Sequence, residues 1–242
     1  MRLRFERAFR AHYLAVLVTA ALALAGAIGI SRSASASTSS SGVFSSDHGK
    51  FRILVSGQDV GKEEFNLEPG GGGWVLRSTS TIQSAQGEMH VSGTLQLRED
   101  GTPAHYEWET QGAKKASSTI EFSGASATVQ LHIEGARPFT QQFTFNSPRV
   151  IVLDNNLYAQ YSVLARLYDW DKKGSQTFAV IVPQEMTPGT VTVVSVGKQD
   201  AGGKKLDELV VKTEDLELDL YLDGPKLVRI VVPSSNAEIV RE

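Results

Sequence analysis

The sequence predicts a mainly β protein: a single antiparallel meander curled into an open barrel or roll of about thirteen strands, with one inserted α-helix at about residues 155–170. Two observations carry this. From Lys50 onward apolar and polar residues alternate with a period of two, and turn-forming or Gly-rich punctuation recurs about every ten residues, as expected of antiparallel strands with one buried face. A single segment, from Asp154 to Trp170, departs from that period and reads as helix.

The elements follow in chain order. Arg2, Arg4, Arg7 and Arg10 stand against one acid, Glu6, and an uncharged apolar stretch runs from Tyr13 to Ile30. Ala34-Ser35-Ala36 then supplies a small-residue exit, so residues 1–36 are expected to be an N-terminal hydrophobic signal helix cleaved after Ala36. The alternative is an uncleaved anchor, with residues 13–30 as the only membrane contact. In either case the arginines hold that end inside and the remainder is placed outside the cytoplasm. Residues 37–48, rich in Ser, Thr and Gly, are expected to be a disordered linker, and residues 49–242 one domain.

Within that domain Met89, Val91, Leu95 and Leu97 alternate with polar neighbours, as do Val129, Leu131 and Ile133, and the leucines at 216, 218, 220 and 222. The turn at Glu99 to Thr102 is expected to pair Arg98 with Pro103. That sets Leu97 opposite Ala104, Leu95 opposite Tyr106 and Gly93 opposite Trp108, the glycine leaving room for the indole. At Asp223-Gly224-Pro225 a three-residue loop is expected, placing Asp219 opposite Arg229 and keeping the arginine off the leucine face, where an unpaired charge would be costly. Asp154, Asn155 and Asn156 are N-cap candidates for a helix whose stripe is Leu157, Tyr161, Leu164 and Tyr168. Lys172-Lys173-Gly174 ends it.

The span from Arg149 to Glu242, with Val150 to Asn155, the Tyr-rich helix and the ending Leu227 to Val232, resembles uncharacterised exported bacterial β-rich proteins, of the domain-of-unknown-function type with a roll or open-barrel body. Gly57, Gly61, Glu63 and Phe65, followed by the Trp74 to Ile82 strand, are similar in style. The resemblance implies a fold and no established activity. Periplasmic lipoprotein carriers, half-open barrels with a helical lid, are a more distant likeness, from which this chain departs in having one helix instead of several.

The sequence has 242 residues, 24 basic and 27 acidic, and no cysteine. Disulfides, thiolate nucleophiles and cysteine-based metal sites are excluded. The first 36 residues hold five arginines and one glutamate, so the remaining chain carries 19 − 26 = −7, and its field does not suit nucleic acid. There is no G-x-S-x-G nucleophile pentad, and Gly70 to Gly73 leads into a strand where a phosphate loop would lead into a helix. His48, His90, His105 and His132 have no compact metal-ligand spacing. No catalytic residue, metal site or cofactor is therefore assigned.

The suggestive set is aromatic: Trp74, Tyr106 and Trp108 from strands, and Tyr158, Tyr161, Tyr168 and Trp170 from the helical segment. Packed between helix and curved sheet, these rings would either form plain core or line an amphipathic cavity with hydroxyls at its mouth. The functional expectation is an exported, periplasmic or cell-envelope, non-enzymatic protein binding an apolar or amphipathic small molecule. The alternatives are a protein-interaction or assembly module of the envelope and, behind both, a hydrolase with a non-motif site.

Overall fold

A computed structural model describes residues 43–242 apart from 85, 86, 113, 214 and 215. The expected signal segment and residues 37–42 of the expected linker lie outside the described residues. Fifteen strands form one sheet: β1 Asp47–Val55, β2 Gln58–Gly70, β3 Gly73–Ser84, β4 Gly87–Arg98, β5 Pro103–Gln111, β6 Ala116–Ser123, β7 Ser126–Ile133, β8 Phe139–Thr144, β9 Val150–Val152, β10 Ser175–Val182, β11 Thr187–Ala201, β12 Lys204–Lys212, β13 Glu217–Asp223, β14 Lys226–Val232 and β15 Ala237–Arg241. The helix α1 spans Gln160–Leu167, between β9 and β10.

The expected meander has two arms within one sheet. Strands β1 to β8 run outward by successive antiparallel pairings to one edge, and β15 back to β10 run outward to the other. They join where β1 pairs β15, Ile53 opposite Ile239. Because α1 carries the chain back across the sheet, β9 lies parallel to β10 as the second edge. The edges β8 and β9 do not pair, so the barrel stays open.

The sheet's inner face holds the core, with Phe51, Leu67, Leu95, Ile120, Leu209 and Leu220 fully enclosed. Residues 153–168 fill the interior as a plug, with Leu153, Leu157, Leu164 and Tyr168 buried against strands of both halves. Phe51 and Phe65 stack beneath them at 5.0 Å.

Four expectations are corrected. The ordered body begins before residue 49. Phe44 is buried against Trp74, with ring centroids 5.9 Å apart. Asp47 is 4% exposed and binds two arginines, Arg166 of α1 at 3.1 Å and Arg241 of β15 at 2.6 Å. A Ser-rich composition conceals one aromatic and one carboxylate that tie β1 to the plug and the last strand.

The helix is eight residues long, shorter than the expected 155–170. Asp154 closes a turn on the Asn156 N–H at 2.9 Å instead of capping a helix, and the N–H groups of Tyr158 and Ala159 go to Glu63 of β2. Beyond Leu167 the backbone extends at Tyr168, ψ 128°.

The β4–β5 register agrees at Leu95–Tyr106 and Gly93–Trp108, but a bulge places Leu97 opposite Pro103 and not Ala104. Arg98 caps this turn from its side chain, donating to the Pro103 carbonyl. Nor does Gly93 make room for the indole. A Cβ there would lie 2.5 Å from Leu157 Cδ1 and 3.0 Å from the Tyr106 hydroxyl, so the glycine admits the plug.

The β13–β14 turn is likewise bulged: Leu222 pairs Leu227, Leu220 pairs Ile230, and Arg229 lies opposite Tyr221, not Asp219. Arg229 does stay off the leucine face. Its guanidinium carbon stands 5.7 Å from the Tyr221 ring centre and its Nε 2.7 Å from Glu238 of β15.

Candidate functional site: an anchored plug and the pocket beside it

The segment joining β9 to α1 is held by two buried carboxylates, one reaching it from β2 and one of its own that takes donors from the sheet and a turn. Glu63, on the inner face of β2, is fully enclosed. Its oxygens accept the backbone N–H groups of Tyr158 at 2.7 Å and Ala159 at 3.1 Å. These are donors at the start of α1 that the helix itself leaves unpaired, so Glu63 caps it from across the barrel. With no cation beside it among the described residues, burial pushes the Glu63 carboxyl up to about 7, against the opposing pull of the two N–H groups and the Ser78 hydroxyl.

Asp154, 2% exposed, belongs to the plug itself. It accepts the Tyr106 hydroxyl of β5 at 2.7 Å and the Gln184 side-chain amide from the β10–β11 turn. Its own backbone N–H donates to the Gln160 side-chain carbonyl at 2.5 Å. Burial raises the Asp154 carboxyl, while the Asn156 N–H, Tyr106 and Gln184 oppose the rise. The Tyr106 hydroxyl is driven well above its ordinary range by burial and by Asp154. Such a network favours one seat for the plug because both of its buried carboxylates have several donors.

On the side of the plug facing β10–β13 lies a cavity of about 40 Å³. Its walls are Val180, Val182, Val191, Val211, Leu216 and Leu218, and Leu153 comes from the plug. Asn155, Tyr161 and Glu185, with Thr187, Thr190 and Thr213, add the polar groups. Tyr161 is 8% exposed, and its hydroxyl has no hydrogen-bond partner among the described residues. The Asn155 amide donates to Glu185 at 3.4 Å. Burial raises the Glu185 carboxyl, with Asn155 opposing. Apolar walls with a few polar groups at one end are the makings of a small amphipathic site. A more open furrow of about 190 Å³ on the outer face of β3–β5, between Thr79, Thr81, His90 and Glu109, is larger but is lined almost wholly by polar residues.

The seven aromatic residues singled out from sequence do not converge. Tyr161 alone lines the cavity. Tyr106 is spent on Asp154, and Tyr158, partly buried, packs over the core above Glu63. Trp108 is buried on β5, its indole N–H unpartnered among the described residues. At the far end Tyr168 and Trp170 meet edge to face at 5.1 Å, their polar atoms satisfied by the carbonyls of Gly174 and Ala165. Trp74 covers Phe44. Sequence reasoning missed Glu63, Asp154 as a buried acceptor, Gln184 and Glu185. The one signal for Glu63 was a carboxylate at an inward position, two residues before Phe65 and four before Leu67.

Neither a protein-family model nor a curated protein sequence matches the chain. Among solved structures it is similar to the crystal structure of a beta-barrel-like protein of a domain of unknown function, DUF1849, from Brucella abortus. The superposition has a TM-score of 0.54 and covers 81% of this chain and 94% of that one. The fold is beta-barrel-like. At 9% identity the likeness is one of architecture alone, and it agrees with the expected resemblance to β-rich domains of unknown function.

Proposed function

We propose that the chain is an exported, cell-envelope protein that acts by binding an apolar or amphipathic ligand rather than by catalysis. The observation that carries the binding part is the cavity beside the plug, whose lining combines valines and leucines with Asn155, Tyr161 and Glu185. At about 40 Å³ it takes the end of a chain or a small group, not a whole lipid. Export rests on the arginines, apolar run and A-x-A exit of residues 2–36. Native mass spectrometry of the protein purified from its own envelope fraction tests both parts. The expected species starts after Ala36 and carries a small apolar or amphipathic adduct. A cytoplasmic, full-length, adduct-free protein would overturn the proposal.

A second reading, an envelope assembly module, is favoured by β8. This edge strand has one side without a strand partner, and Phe139 on it is 48% exposed. Cross-linking in intact cells from a photoreactive residue at position 139 is expected to capture a specific protein on this reading and none on the first.

A further inference from the structure

We infer that the cavity beside the plug selects a ligand whose polar end donates hydrogen bonds, a cationic amine above all, and discriminates against carboxylates. This rests on the binding reading above and adds the chemistry of the ligand's head. Among the described residues the cavity's lining contains Glu185 and no lysine, arginine or histidine. The nearest cation in sequence along the lining strands, Lys212, is turned to the outer face and paired with Glu217 at 2.7 Å. Behind the plug Asp154 adds a second carboxylate, whose field is felt at the Tyr161 hydroxyl together with that of Glu185.

The acceptors are unequally occupied. Asp154 is already bound by Tyr106, Gln184 and the Asn156 N–H. Glu185 receives only the long bond from Asn155, which leaves most of its acceptor capacity free. The Tyr161 hydroxyl, unpartnered among the described residues, can accept from the same head. An ammonium group there meets a half-buried carboxylate and a hydroxyl while the carbons next to it lie against Val182, Val191 and Leu218, the cavity enclosing only that end of the chain. A carboxylate in the same place adds like charge beside Glu185, and the neutral donors of the lining, Tyr161, the Asn155 amide and the threonine hydroxyls, do not offset that charge.

Matched eight-carbon ligands test this: octylamine, octanol and octanoate, titrated calorimetrically into the full folded domain at neutral pH. Octylamine is expected to bind about tenfold or more tightly than octanoate, the scale of one charge interaction of modest strength, with octanol between them. Glu185→Gln, nearly isosteric and on a turn, is expected to remove the amine's advantage and leave octanol unchanged. Val182→Phe, which narrows the cavity, is expected to weaken all three. Octanoate binding as tightly as octylamine, or an amine preference surviving in Glu185→Gln, would overturn the inference while leaving the binding reading in place. No binding by any of the three, octanol included, would overturn that reading as well.

Discussion

Glu63 on β2 accepts the backbone N–H of Tyr158, ninety-five positions away, at 2.7 Å inside the barrel. One enclosed carboxylate thus seats the plug, caps the helix that follows and faces no cation among the described residues. Its consequences are measurable.

The first is a pH dependence of stability. Glu63 has its carboxyl raised from 4.5 to about 7 in the folded protein, so the folded state holds the proton more tightly than the unfolded chain. The stability this group contributes is fully present below pH 4.5 and is lost as pH rises through about 7. The shift corresponds to about 3 kcal/mol. Asp154 and Glu185, also raised by burial, act in the same direction. Urea unfolding at pH 5 and pH 8 is expected to show greater stability at pH 5, and Glu63→Gln to flatten the difference. An unchanged slope in the variant would remove Glu63 as the cause.

Asp47→Asn is expected to destabilise by about 3 kcal/mol, because it leaves Arg166 and Arg241 without their shared carboxylate. Removing residues 43–48 altogether is expected to cost at least as much, since Phe44 goes too. Equilibrium denaturation checks both. A truncated chain as stable as the longer one would mean that the body does begin at residue 49.

Gly93→Ala is expected to cost about 1–3 kcal/mol, as overpacking does. The added Cβ would meet Leu157 Cδ1 at 2.5 Å, so the plug has to give way. Leu157→Ala in the same chain opens that space and is expected to reduce the additional cost of the glycine substitution in a double-mutant cycle. Strict additivity would place the clash elsewhere.

Tyr106→Phe is expected to cost about 1–3 kcal/mol by leaving an Asp154 oxygen short of a donor. It is also expected to speed hydrogen exchange at Asn156, Tyr158 and Ala159, whose amides are bound to the two carboxylates. Exchange unchanged at these amides would separate the hydroxyl from the seating of the plug.

What was legible in the sequence was governed by short-range periodicity. The alternation of Met89, Val91, Leu95 and Leu97 marks an inward face whatever the neighbour, so the β class and the open-barrel form follow from it. Register was readable only where no bulge intervened: Gly93–Trp108 held, while the bulges beyond Gln96 and Tyr221 moved Leu97 and Arg229 onto other partners. Both bulges restore the inward phase of the apolar residues, which is why Arg229 kept its face and lost its partner. The site was less legible because its acids act at long range. Glu63 meets Ala159 and Asp47 meets Arg241, pairings that exist only after β1 has joined β15 and the sheet has curled over the plug. The aromatic residues drew attention for their size, yet size suits core packing as well as a pocket, and most of them serve the core.

The central claim, that the cavity beside the plug holds a ligand, is tested most directly by native mass spectrometry of the protein isolated from its own envelope fraction, alongside Val182→Phe. A small apolar or amphipathic adduct on the wild-type protein, diminished or absent in the variant, is the predicted result. The same adduct at equal occupancy in both, or adduct-free wild-type protein under conditions that preserve weak complexes, would contradict it.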